Sequence, residues 1–230
     1  LVIEKRRPLR CSLLYGPQKT VLRGVEVIRV SVLSDGRYVV RDTDNNITLY
    51  TKAWKRLNAR FNTLSQIDGR VGGMCVDRDD NIYVGYYKTK KIVVFRPEGG
   101  APVREIPCQD YEPWEICHMN PSKRLVVCDG LKSVRVIDDM DEKGTAFHCI
   151  NVDNEESHIA VLKDDSILIA CRNDGLLNIE LYTKDLKRIR TVLRYFPLAD
   201  RIEKLVALPT GEIVLVSDEQ FIVFRKILKG

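Results

Sequence analysis

The side chains of this 230-residue chain with most scope for chemistry are three histidines, seven cysteines and a few carboxylates set at repeating intervals. His118, His148 and His158 have no serine or cysteine nucleophile motif beside them, so no catalytic triad is indicated. Cys117, His118, Cys128, His148 and Cys149 lie close enough in sequence to suggest a metal site. Neighbours on a strand point to opposite faces, however, so Cys117 and His118 cannot both join one site. No Cys-x-x-Cys pair occurs either, and neither a metal nor a cofactor is expected. Glu115 and Glu203 occupy roughly matching places in two repeats and could hold a divalent ion. Two carboxylates are too few for that, and Lys204 adjoins one of them. The reading is of a protein that is not an enzyme.

A second group of residues suits recognition. Tyr86, Tyr87, Lys88, Lys90 and Lys91 form one run, and Tyr111 and Trp114 follow shortly after. Aromatic rings with Arg are the usual anchors of protein interfaces, and with Arg70 and Arg172 these residues make a candidate partner-binding set. The elements that must present them repeat along the chain. Tyr38, Ile82, Leu125, Ile167 and Ile213 each open the second strand of a short meander, at intervals of 44, 43, 42 and 46 residues. A turn precedes each one: Ser34-Asp35-Gly36, Asp79-Asp80-Asn81, Asn120-Pro121-Ser122, Asp164-Asp165-Ser166 and Pro209-Thr210-Gly211. Four copies have a weaker fourth strand, near residues 60–64, 103–106, 146–150 and 189–193.

A four-stranded antiparallel meander repeating every 40 to 50 residues predicts an all-β chain, a β-propeller whose small sheets bury their faces against one another around an axis. The blades fall at about 25–68, 69–110, 111–152, 153–198 and 199–230, after a leading segment 1–24. The last copy lacks an outer strand. Either Val2–Ile3 or Cys11–Tyr15 could supply it and close a five-bladed disc; alternatively 1–24 is the tail of an earlier blade in a six-bladed ring, the reading slightly preferred. Because the first residue is Leu, the chain is expected to be a segment of a longer polypeptide.

Charge is localised. Lys5, Arg6, Arg7, Arg10, Lys19 and Arg23 against Glu4 account for the whole net +5, so the body is neutral. The seven cysteines are an odd set, mostly beside apolar residues, as expected of thiols in a reducing, cytoplasmic setting. No apolar run is long enough to cross a bilayer as a helix.

The stretch VGGMCVDRDDNIYVGYYKTKKIVVFRPEGG, and EPWEICHMNPSKRLVVCDGLKSVRVI after it, resemble the NHL-type propeller repeats at the C-terminus of tripartite-motif (TRIM-like) proteins. The likeness covers residues 69–150. Later copies depart from it, with Asn120 in place of the Asp that ends the first strand. It implies a recognition propeller in a scaffold or ubiquitin-ligase-like protein. Among the blade-to-blade loops, Gln109–Glu115 and Asn151–Ser157 carry −3 each and the others are neutral, so the loop face is acidic outside Gly85–Lys91. Phosphate neutralisation dominates RNA affinity. A protein or peptide partner is therefore preferred, with single-stranded RNA as the alternative and a metal-dependent lactonase-like or esterase-like propeller as the second.

Overall fold

The computed structural model describes residues 2–6, 27–42, 44–61, 63, 71–129, 133–141, 143–152, 156–198, 200–208, 210–217 and 221–225. Their regular structure is entirely β. Blade one comprises β2 (Val27–Val32), β3 (Tyr38–Asp42) and β4 (Ile47–Tyr50). Blade two comprises β5 (Val71–Val76), β6 (Ile82–Tyr86), β7 (Lys91–Phe95) and β8 (Arg104–Pro107). Blade three is β9 (Glu115–Met119), β10 (Arg124–Cys128), β11 (Ser133–Asp138) and β12 (Ala146–Asn151). Blade four is β13 (Glu156–Val161), β14 (Ile167–Asn173), β15 (Leu176–Tyr182) and β16 (Arg188–Pro197). Blade five joins β17 (Ile202–Ala207), β18 (Ile213–Ser217) and β19 (Phe221–Arg225) to β1 (Val2–Arg6), the first strand of the chain.

That last pairing decides the blade count. β1 runs antiparallel to β19, from Val2 opposite Arg225 to Arg6 opposite Phe221. Val2–Arg6 therefore completes the fifth blade instead of forming the tail of an earlier one. The result is a five-bladed β-propeller, against the slight preference for six. Cys11–Tyr15, the other candidate for the closing strand, lies outside the described residues. In blade one the region near 60–64 forms no fourth strand among the described residues. Phe61 makes a single bridge to Gly100 of blade two instead, its ring meeting Phe95 edge-on.

The core consists of slabs between successive blades. Leu33, Val39 and Leu49 meet Met74, Val84 and Val93 between blades one and two. Cys75, Tyr83, Ile92 and Ile106 meet Ile116, Leu125 and Ile137 between two and three. The next two gaps are filled likewise. A middle strand thus has a neighbouring blade on each face. All five residues of β6 are buried, whereas the outer β12 alternates half-buried with exposed.

Polar bonds between turns fasten consecutive blades at one end of the ring. Asp80 accepts from the Ser34 N–H (2.7 Å) and hydroxyl (2.7 Å). The Asn120 carbonyl accepts from Arg78 N–H at 2.9 Å, and Asp165 accepts from Ser122 N–H at 2.8 Å. The Asp and Asn residues of the repeat turns therefore bind across repeats, beyond their own turns. At the inner strands, glycine permits a closer approach. A Cβ on Gly73 would stand 2.4 Å from Ile116 N, and one on Gly85 2.5 Å from Pro113 O, so only glycine lets β5 and β6 lie this near blade three.

Candidate functional site

The β6–β7 loop is the most exposed element of the expected recognition face. Tyr87, Lys88, Thr89 and Lys90 form a tight turn, closed by Lys90 N–H donating to Tyr87 O at 3.2 Å. Lys88 and Lys90 stand in solvent, and Lys91 pairs with Glu105 at 3.0 Å. The half-buried Tyr87 ring lies edge-on to Trp114, centroids 5.8 Å apart. Trp114 is held at the mouth of β9, where its N–H donates to Cys128 O at 3.0 Å. The structure thus brings Tyr87, Lys88, Lys90 and Trp114 into one patch.

Other expected anchors lie elsewhere. Tyr86 is 2% exposed and Tyr111 5%, so neither can be a surface anchor. Tyr86 ends a strand enclosed on both faces and carries the Arg41 guanidinium over its ring, 4.8 Å from the centroid. Tyr111 is covered by Arg135 in the same way and donates to Gly144 O at 3.4 Å. Alternation along the strand would have turned one of Tyr86 and Tyr87 outward, but it predicts nothing for a strand covered on both sides. Arg172 is half-buried and donates from Nε to Glu156 at 3.0 Å, away from the aromatic pair. Arg70 lies outside the described residues.

Near the axis the first strands carry a charged network that the sequence hinted at only through Glu115. The Glu115 side chain is fully enclosed. One carboxylate oxygen accepts Ile159 N–H at 2.9 Å and faces His158 Nδ1 at 3.2 Å, and the other takes the Lys204 ammonium. Glu156 begins the next blade. It accepts from Ile202 N–H (3.0 Å), Arg172 and Arg201, and lies 3.6 Å from His158 Nε2. Burial alone would lower the His158 imidazole, but Glu115 and Glu156 on either side push it up to about 9. Burial would likewise raise Glu115, yet Lys204 and His158 hold it well below the usual carboxylate range. Lys204 stands where an ion bridging Glu115 would have to sit, and Glu203 points to solvent.

A third cluster lies at the opposite end of the blades. Asp77 follows β5, His118 lies in β9 and Asp139 follows β11, and one donor atom from each falls within 4.8 Å of the others. The Tyr83 hydroxyl sits between the two carboxylates, 3.2 Å from Asp77 and 3.3 Å from Asp139. Together they floor a cleft of about 410 Å³ between blades two and three, also lined by Arg78, Asn120 and Met140. From sequence alone His118 is weighed as a triad histidine and beside cysteines, and Asp77 does not stand out. A usable signal was present, since Asp77 and Asn120 follow the first strands of adjacent repeats and bring blade two's carboxylate beside blade three's histidine.

A patch of two aromatic rings and two lysines on one face, an internal charged network and a polar cleft on the other face are therefore combined in one five-bladed disc. A solved structure of a protein of unknown function from Bacteroides caccae is similar to this chain, with 15% sequence identity and a TM-score of 0.60, over 84% of this chain and 71% of that one. That likeness concerns the fold. No protein-family model matches the chain, and no curated protein does.

Proposed function

We propose that this propeller is a non-catalytic recognition module that binds a protein or peptide partner through the patch of Tyr87, Trp114, Lys88 and Lys90. The observation that carries the reading is the Tyr87–Trp114 pair, two half-exposed rings already locked edge-to-face beside two unpaired-sign lysines in solvent. Such a pair offers apolar area at little entropic cost on docking, and the lysines add orientation and on-rate. Asp110 and Glu112 are exposed in the neighbouring loop, so the surface is mixed in sign. A mixed surface suits a peptide better than a phosphate backbone. The resemblance of residues 69–150 to NHL-type repeats supports the recognition end of a larger TRIM-like scaffold. The six described cysteines are free, which favours a reducing cytoplasmic compartment.

Pulldown with the full chain tests this, comparing wild type with Trp114→Ala and with Lys88→Glu/Lys90→Glu. The second variant leaves the core untouched. Loss of the same partner in both variants supports the reading; retention in both overturns it. Single-stranded RNA is the second reading, favoured by one aromatic ring next to two lysines in the β6–β7 loop. RNA retention that weakens steeply between two salt concentrations and depends on Lys88 and Lys90 would replace the protein reading with it.

A further inference from the structure

We propose that Asp77, His118 and Asp139 hold a divalent ion of the zinc class at the floor of the cleft between blades two and three. Three independent features of the cluster point to a missing cation. The first is His118. The Asn120 side-chain oxygen accepts Arg78 N–H at 2.9 Å, which fixes it as the oxygen end of the amide, and it faces His118 Nδ1 at 3.0 Å. Nδ1 must therefore carry a proton. Nε2 lies 3.0 Å from a carboxylate oxygen of Asp139. That pair needs a positive charge between its two atoms, which a divalent ion supplies in place of a second ring proton. A ligating histidine characteristically donates its other N–H to an oxygen, as His118 does to Asn120.

The second feature is Asp139 itself. It is 5% exposed and lines the cleft, and its other oxygen, Oδ1, is buried with no hydrogen-bond partner. A buried charged oxygen left without a partner is unfavourable unless a cation meets it. The third is Tyr83. Its single proton can satisfy only one of the Asp77 and Asp139 oxygens it touches. Arg104, which lines the cleft with Arg78 and Lys123, reaches the Tyr83 hydroxyl at 3.4 Å and Met140 Sδ at 2.8 Å.

One imidazole nitrogen with two carboxylate oxygens suits zinc or manganese better than calcium, which takes six to eight oxygens. Donors about 2.1 Å from a tetrahedral ion are about 3.4 Å apart. The donor atoms lie within 4.8 Å of one another, so binding would draw them together by side-chain rotation. The remaining coordination position opens into the cleft, whose lips include the exposed Val103 and Met140. Water or an oxygen-bearing ligand would occupy it, and the ion would tie blade two to blade three.

The test uses the full chain stripped with chelator, titrated with Co²⁺ as a spectroscopic stand-in and with Zn²⁺ by calorimetry. The expectation is one equivalent bound, ligand-field bands without a thiolate charge-transfer band, and a melting temperature that rises with Zn²⁺ concentration. Asp139→Asn and His118→Asn, each checked for unchanged metal-free unfolding, should weaken binding at least tenfold. Asn120→Ala should weaken it about tenfold by releasing the His118 ring. Should an altered side chain impair folding, Asn120→Ala alone keeps the test decisive. Absence of stoichiometric binding, a thiolate band, or affinity unchanged in Asp139→Asn and Asn120→Ala overturns the proposal.

Discussion

Arg41 of blade one donates to the backbone carbonyl of Gly85, 3.1 Å away in blade two and one full repeat along the chain. The same guanidinium reaches Gly72 O at 3.3 Å and Asn45 Oδ1 at 3.1 Å, beneath the Tyr86 ring. It has no carboxylate partner among these contacts. Burial lowers its pKa to about 10, and it is retained as a cation by carbonyl dipoles and a π face. Removing it would leave two inner carbonyls facing an apolar gap. Arg41→Met is expected to cost roughly 2–4 kcal/mol in urea unfolding, from three acceptors left without their donor. Arg41→Lys should recover only part of that, since one ammonium nitrogen can stand in for Nη1 at the two carbonyls but leaves the Nη2 bond to Asn45 unmade.

The close approach of blades two and three predicts a second sensitivity. Gly73→Ala places a methyl against backbone nitrogen, where neither partner can rotate away. It should destabilise by about 1–3 kcal/mol, as overpacking does. Gly100→Ala, with nothing near its Cβ but a φ of +94°, should cost less, and thermal melts of the two compare them directly.

The axial network makes stability depend on pH in a defined direction. His158 has a folded value of about 9 against an ordinary 6.5, so its contribution is complete below pH 6.5 and disappears as pH rises through about 9. Glu156 is lowered from 4.5 to about 2, so its contribution is complete above pH 4.5 and disappears as pH falls through about 2. Stability from this pair is therefore greatest between about 4.5 and 6.5. The melting temperature should drop by about 5 °C between pH 6.5 and 9, for a loss of about 2 kcal/mol in a chain of this size. His158→Gln should flatten that slope while lowering stability at pH 6. A slope unchanged by the substitution would remove His158 as its source.

The bonds between turns should each contribute modestly. Asp80→Ala removes both bonds to Ser34 and is expected to cost about 1 kcal/mol, measured by denaturant midpoint at constant m-value. Ser34→Ala removes only the hydroxyl bond and should cost less. A double variant no worse than Asp80→Ala would show that the two act as one unit.

The architecture was legible because the repeat spacing and turn residues are local signals, and strands such as Ile82–Tyr86 and Ile167–Asn173 can be read from runs of apolar residues. The number of blades was not, since it depends on whether Val2–Arg6 pairs with Phe221–Arg225, a contact that leaves no mark on either segment. The candidate patch was half legible. Lys88, Lys90, Tyr87 and Trp114 lie together as their neighbourhood in the repeat implied, but Tyr86 and Tyr111 are enclosed by adjacent blades, and composition does not report burial from both sides. The Asp77–His118–Asp139 cluster joins residues 41 and 62 positions apart from two blades, and it becomes visible only once adjacent repeats are stacked.

The pairing of β1 with β19 has a consequence for biosynthesis. Val2–Arg6 is made well before its partner and has no ladder to join until Phe221–Arg225 has been synthesised. Closing so large a loop is slow compared with forming any single hairpin of the meanders. The blades can mature one after another, and sealing of the disc comes last.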